Sequence, residues 1–264
     1  MKLVKVSSLL TYLGIPLVGA SVALNFFLFG QLKKYYIELN QVRLDPLGLS
    51  YYNPAPKLDD KGAIKRVVIL GDSRAADWDV PNVDGYEFIN RGVGGQTSAQ
   101  VSQRFDFHLE NLEPDIVIIQ VGINDLKAIP LMPDSRNIII DLCRANIRQM
   151  VEDSKALGAT VIVTTILPVG EVPLIRQPVW SDDIAQAIYE VNGYIDSLDD
   201  DDQVIVFDGF SAIADGQGLI PEDHRKDELH LNKQGYITLN EAFVEFLNTA
   251  EIPINSADSG EQTS

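Results

Sequence analysis

Residues 115–121 read Asp-Ile-Val-Ile-Ile-Gln-Val, and residues 160–166 read Thr-Val-Ile-Val-Thr-Thr-Ile. Both are nearly continuous β-branched runs. A strand with one wet face alternates apolar and polar residues, whereas a central strand of a parallel sheet is covered on both faces and reads as an unbroken apolar run. Outward from these two, residues 65–71 (Lys-Arg-Val-Val-Ile-Leu-Gly) form a third run, and 86–90 (Tyr-Glu-Phe-Ile-Asn) and 203–207 (Gln-Val-Ile-Val-Phe) are further candidate strands. The intervals carry helical periodicity. Val101, Phe105, Leu109 and Leu112 are spaced as one helix over 97–112, 135–157 is a long helix stopped by Gly158, and 182–198 and 233–249 are two more. Strand–helix alternation predicts an α/β fold: a three-layer α/β/α sandwich with a mostly parallel five-stranded sheet and right-handed crossovers.

The chain has 264 residues, 45% of them hydrophobic and 22% charged, which is globular composition. Its 21 Lys and Arg stand against 38 Asp and Glu, a net charge of −17. Gripping nucleic acid requires a basic face, and no basic cluster stands out, so nucleic acid is not an expected partner. The charge is unevenly spread. In residues 1–45, Lys2, Lys5, Lys33, Lys34 and Arg43 oppose Glu38 and Asp45, a balance of +3 that leaves −20 on the remainder. Cys143 is the single cysteine, so no intrachain disulfide can form. It sits in an apolar periodic stretch and reads as a buried residue. The run Asp199–Asp202 lacks the glycine and terminal glutamate of an EF-hand loop and reads as a solvated turn. The histidines have no partners at ligand spacing, so no metal is expected.

Residues 7–30 (SSLLTYLGIPLVGASVALNFFLFG) carry no charge and are flanked by lysines. They are long enough to cross a bilayer as helix. The alternative is a cleaved signal peptide with Ser21-Val22-Ala23 as the small-residue site, but the apolar run continues through Phe26–Phe29. The organisation expected is an anchor over 1–36, a stalk over 37–61 interrupted by Pro46, Pro54 and Pro56, a folded body over 62–250, and a disordered tail over 251–264. Lysines on both flanks leave the membrane orientation nearly balanced.

In parallel α/β sheets, ligands sit at the carboxyl ends of the strands. The expected ends here are Gly71-Asp72-Ser73, then Asn90-Arg91-Gly92-Val93-Gly94-Gly95-Gln96-Thr97-Ser98, then Gly122-Ile123-Asn124-Asp125. Asp227-Glu228-Leu229-His230-Leu231-Asn232 precedes the last helix. Serine, exposed backbone at glycines, an asparagine amide and an Asp/His pair are the parts of an acyl-transfer site. Each part alone has a plain structural reading: a serine after a strand is usually a helix cap, and Asn-Asp is usually turn chemistry. The four in order are what carries weight.

These four segments resemble the blocks of the SGNH (GDSL-type) serine hydrolases, in particular the lysophospholipase-like and platelet-activating-factor acetylhydrolase-like branch. That branch more often has Asp where this chain has Gln96. The resemblance implies a flavodoxin-like fold and an esterase without cofactor. It matches Ser73 to the nucleophile, His230 to the base and Asp227 to the residue orienting it. It matches the Ser73 and Gly95 N–H groups and the Asn124 amide to the oxyanion hole, with Gly92 and Gly94 as alternatives to Gly95. Asp72 and Asp125 are expected to shape loops, and His108 and His224 to be structural or exposed. The expected substrate is an acetyl or acyl ester of a lipid or a glycan, with the loop 168–181 and its Leu174, Ile175, Val179 and Trp180 walling the pocket. Anchored hydrolases of this kind place the body outside the cytoplasm. An O-acyltransferase on the same scaffold and a non-catalytic binding domain are the rival readings.

Overall fold

A computed structural model of the protein describes residues 3–51, 62–80, 82–109, 111–250 and 252. The chain falls into two compact units, Met1–Gly48 and Leu49–Ser264.

The first unit is one helix, α1 (Leu3–Leu44). The span Gly14–Leu44 is long and apolar enough to cross a membrane, a property shared by signal sequences near an N-terminus. Leu17, Val18, Val22, Leu24, Phe26 and Phe27 are all exposed, on every side of the helix. Asn25 satisfies its amide within the helix by donating to Ser21 O at 2.8 Å. The helix runs past residue 36 to Leu44, so the segment 37–44 is helical rather than an irregular stalk. The stop is set by Pro46, which pushes the residue before it out of the helical region. A 3-10 turn follows at Leu49–Tyr51. The rest of the expected stalk (52–61) and the tail, apart from residue 252, lie outside the described residues.

The second unit begins its sheet with β1 (Lys65–Gly71), followed by α2 (Ser73–Ala76), β2 (Tyr86–Gly92), α3 (Ser98–Gln103), α4 (Phe105–Leu109) and β3 (Ile116–Gln120). Then come α5 (Ile123–Leu126), α6 (Arg136–Ala156), β4 (Thr160–Thr164), α7 (Asp183–Asp196), β5 (Val204–Phe207), α8 (Gly209–Ile213) and α9 (Lys233–Thr249). The five strands lie in the order β2-β1-β3-β4-β5, and every pairing is parallel.

Alternation along the strands divides the core into two layers. Val68, Leu70, Val117, Ile119, Val161 and Val163 point to one face and pack against Val101, Phe105, Ile147 and Ile188 of α3, α4, α6 and α7. Val67, Ile69, Ile116, Ile118 and Ile162 point to the other, against Ala75, Trp78, Leu239 and Phe243. Both faces are therefore dry, which is why β3 and β4 carry no polar alternation. The chain leaves β1 toward β2 on one side and returns to β3 on the other. The ends of β1 and β3 thus flank the topological switch point where ligands bind in such sheets.

The expected single helix over 97–112 is two, α3 and α4, broken at Arg104. The guanidinium of Arg104 is fully buried and donates to Gly71 O (2.9 Å) and Arg91 O (3.0 Å), so this turn is committed to the strand ends. The acidic run is a turn ahead of β5: Asp199 and Asp201 accept from the Val206 and Gln203 N–H groups, and Asp201 pairs with Lys155.

Candidate active site

At the end of β1 the chain turns directly into α2. The Asp72 N–H donates to Gln120 O at 3.2 Å, tying the turn to β3, and the Asp72 carboxylate accepts from the Arg74 N–H at 2.9 Å. Ser73 is thereby the first residue of a capped helix turn and is partly exposed at the sheet edge. A Cβ on Gly92 would lie 2.2 Å from Ala76 N, so only glycine lets β2 pass beneath this turn.

His230 comes from the segment before α9. That segment is closed by an antiparallel bridge between Arg225 and Leu231 and by the Lys226 N–H donating to His230 O at 2.8 Å. Asn232 caps α9, accepting from the Gly235 N–H at 3.0 Å. These contacts bring His230 Nε2 to 3.0 Å from Ser73 Oγ. His230 Nδ1 lies 2.9 Å from both Asp227 oxygens. A carboxylate only accepts, so the Nδ1 proton faces Asp227 and Nε2 is left as the acceptor for the serine hydroxyl. Asp227 Oδ1 also accepts from the Leu229 and His230 N–H groups, each at 2.8 Å. Burial acts to raise the Asp227 pKa, but these hydrogen bonds and the imidazole outweigh it and hold the carboxyl below its ordinary range.

The loop after β2 approaches from the other side. Gly95 has φ +78°, a left-handed backbone that side chains disfavour. Among the described residues the Ser73 and Gly95 N–H groups have no protein acceptor. The Gly92 N–H is already committed to Asn90 Oδ1 at 2.8 Å, which removes it as a free donor. Asn124, buried at the head of α5, donates from Nδ2 to Gln96 O at 2.9 Å, leaving the second proton of that nitrogen available. Gln96 spends its side chain on Arg104 Nε rather than on the crevice, so its difference from the more usual Asp is a matter of support beneath the loop. Asp125 holds the start of α3 through the Ser98 N–H (2.8 Å) and hydroxyl (2.7 Å), a loop-shaping role.

Sequence reasoning passed over Arg74. Its side chain is fully buried and donates Nε to Leu229 O (2.8 Å), Nη1 to Leu167 O (2.7 Å) and Nη2 to Pro168 O (2.9 Å). The residue after Ser73 thus grips the carbonyl next to His230 and the chain after β4. An arginine in a short helix reads as a surface residue, and nothing in one sequence marks it otherwise.

The other candidates lie elsewhere. Burial, aided by Arg104 and Arg91, lowers the His108 pKa to about 4, so that imidazole stays neutral in the core. His224 contacts Asp223 and Thr238. Cys143 is buried and its thiol pKa is pushed up by burial. Among the described residues no cluster of His, Cys, Asp or Glu is arranged to hold a metal. In the loop 168–181, Trp180 packs on the core while Leu174 and Ile175 are 82% and 86% exposed.

Asp72 carries a pH signature. Burial raises its pKa from 3.8 to about 6, against the opposing effect of Arg74. A carboxyl whose pKa is raised by folding binds more protons when folded, so stability falls as pH rises through that window and levels off above it. Two pKa units correspond to about 3 kcal/mol. Asp72→Asn is therefore expected to gain on the wild type by up to about that much between pH 4 and pH 7. Denaturant unfolding across the range checks it, and parallel stability–pH curves for the two proteins would refute it.

Residues 69–236 match the model of the GDSL-like lipase/acylhydrolase family, well over half of the chain, and the protein belongs to that family. Its fold is that of the SGNH hydrolases. Among solved structures, it is similar to a protein of Bacteroides fragilis assigned to the acylhydrolases, at 27% identity and TM-score 0.59, covering 73% of this chain and 90% of that one. A GDSL-like lipase of Bacteroides thetaiotaomicron is similar at 27% identity and TM-score 0.58, covering 70% and 88%. The acetylxylan esterase Axe2 of Geobacillus stearothermophilus shares the fold at 19% identity and TM-score 0.58, covering 72% and 96%. Among curated proteins none matches the chain.

Proposed function

We propose that the protein is a serine esterase that cleaves a carboxylic ester through an acyl-Ser73 intermediate. The observation that carries this reading is the chain of contacts from Ser73 Oγ through His230 to Asp227, at 3.0 and 2.9 Å. A serine hydroxyl is a weak nucleophile until a base at this distance takes its proton. His230 Nε2 takes that proton as Oγ attacks the ester carbonyl. The resulting imidazolium is stabilised by Asp227. The oxyanion is received by the Ser73 and Gly95 N–H groups and by Asn124 Nδ2. Collapse of the tetrahedral intermediate expels the alcohol, which His230 protonates. Water, deprotonated by His230, then attacks the acyl group and releases the carboxylic acid and free Ser73.

The substrate we favour is an acetyl or acyl ester of a lipid or glycan. The exposed Leu174 and Ile175 on the loop after β4 support an acyl-accepting wall, and the apolar helix α1 supports anchoring beside a membrane; the body is placed outside the cytoplasm on the usual arrangement of anchored hydrolases. A fluorophosphonate probe is expected to label Ser73 in the folded protein, and a panel of chromogenic esters differing only in acyl length to report pocket depth. Failure to label Ser73 overturns the reading. Adding an alcohol acceptor and identifying products distinguishes hydrolysis from acyl transfer.

Asn124→Ala tests the oxyanion assignment separately. Loss of one such donor costs about 2.7–4 kcal/mol of barrier, so kcat is expected to fall about 10²–10³-fold. A rise in KM with kcat unchanged would show that Asn124 acts in substrate binding instead.

A further inference from the structure

Lys127 closes α5, three residues after Asn124, so the two side chains leave the same face of this short turn. It is partly buried. Among the described residues its ammonium has no ion-pair partner and no hydrogen-bond acceptor, although burial strips much of its hydration. The charged groups whose fields act on it are Asp72, Arg176, Arg74 and Glu228. The two carboxylates are already engaged. Asp72 caps α2, and Glu228, itself buried, accepts from Arg176 Nε at 2.7 Å. Lys127, Arg176 and Arg74 are thus three cations against two committed acids, Asp72 and Glu228, which leaves one positive charge uncompensated beside the site on a body that is otherwise strongly acidic. Glu228 lies between Asp227 and Leu229, whose carbonyl Arg74 Nε holds at 2.8 Å, so the Arg176–Glu228 pair borders the segment that carries His230, the base that would protonate the leaving alcohol.

We infer that Lys127, flanked by Arg176, forms an anion-recognising subsite for an acidic group, phosphate or carboxylate, on the alcohol portion of the ester. The inference deepens the esterase reading and rests on it. The long-range field of the acidic body is screened over about 8 Å at physiological salt. It disfavours polyanions, while a single anion against a half-buried ammonium is held at contact distance, where screening is weak. Burial lowers the Lys127 pKa, in keeping with a cation that lacks its counter-charge.

The test compares two matched substrate pairs: acetylated glycerol 3-phosphate against acetylated glycerol, and an acetylated methyl glucuronide against the corresponding methyl glucoside. The wild type is expected to show a higher kcat/KM for the charged member of at least one pair, through a lower KM. Lys127→Gln is expected to reduce the charged-to-neutral ratio about tenfold, the value of one charge-assisted contact of about 1.5 kcal/mol. Lys127→Arg is expected to restore most of it, and added NaCl to erode it in the wild type. Which pair responds distinguishes a phosphate-bearing alcohol from an acidic sugar. A ratio unchanged by Lys127→Gln, or no charge preference in the wild type, overturns the inference. Probe labelling of Ser73 run alongside keeps the outcomes separate: labelling without a charge effect refutes the subsite alone, and absence of labelling refutes the esterase.

Discussion

Ser73→Ala is expected to lower kcat for ester hydrolysis by on the order of 10⁶-fold, to the level sustained by the remaining oxyanion donors and binding alone. The size follows from what the substitution removes. Among the described residues Ser73 Oγ alone is hydrogen-bonded to His230 Nε2, so these offer no substitute nucleophile there, and a water taking that place lacks the covalent route. The fold should be unaffected. Ser73 is partly exposed, its side chain contacts His230, and Asp72 remains the cap of α2 through the Arg74 N–H. Alanine is well suited to a helix start, and a change of this kind is worth about ±0.5 kcal/mol. The variant should unfold at the wild-type denaturant midpoint, bind substrate and lose probe labelling. Turnover within a hundredfold of wild type in the purified variant would exclude Ser73 as the nucleophile.

Much of this site was legible because its parts are where parallel-sheet topology concentrates chemistry. Ser73 and Asn124 each follow a strand whose apolar run is unmistakable, and the 92–98 loop follows β2, a half-exposed strand marked instead by the glycines after it. The runs are unmistakable because β1, β3 and β4 are dry on both faces. Strand pairing and order add what no single strand reveals, namely that β1 and β3 are neighbours and that their ends meet at a switch point.

Most of what escaped reading has one physical cause: residues whose roles are set by distant partners. The predicted helix over 97–112 breaks because Arg104 must reach Gly71 and Arg91, and periodicity along 97–112 contains no trace of that demand. Arg74 looks like a helix-surface cation and is instead the fully buried clamp between the Ser73 turn, the chain after β4 and the His230 segment. Lys127 reads as an ordinary polar end to a turn, and only the packing around Glu228 and Arg176 leaves it without a counter-charge. The boundary of α1 is the exception, with a local cause. Tyr35 to Leu44 are neither apolar enough to extend the anchor by composition nor broken by any residue before Pro46, so local propensity carries the helix on.

Asp227→Asn is expected to lower kcat at neutral pH by about 10⁴-fold while preserving structure, the size seen when a triad acid is changed to its amide. Asp227 does two things at once. Its Oδ1 accepts from the Leu229 and His230 N–H groups, which shapes the turn, and both oxygens face His230 Nδ1. An asparagine oxygen can still accept the two backbone bonds, so the turn and the position of the ring persist. The amide nitrogen then faces Nδ1, donates to it and drives the ring proton to Nε2. Nε2 in that tautomer is a donor and cannot take the Ser73 proton. The loss is in kcat, KM moves little, and activity recovers toward high pH as hydroxide does the work of the base. Asp227→Ala separates the two roles. It removes the backbone acceptor as well, hands the two N–H groups of the turn to solvent and lowers stability by about 0.5–1.5 kcal/mol per lost hydrogen bond besides. If the asparagine variant proves as destabilised as the alanine variant, or retains more than about a tenth of wild-type kcat at neutral pH, where the triad acid should matter most, Asp227 shapes the loop and does not set the tautomer of His230.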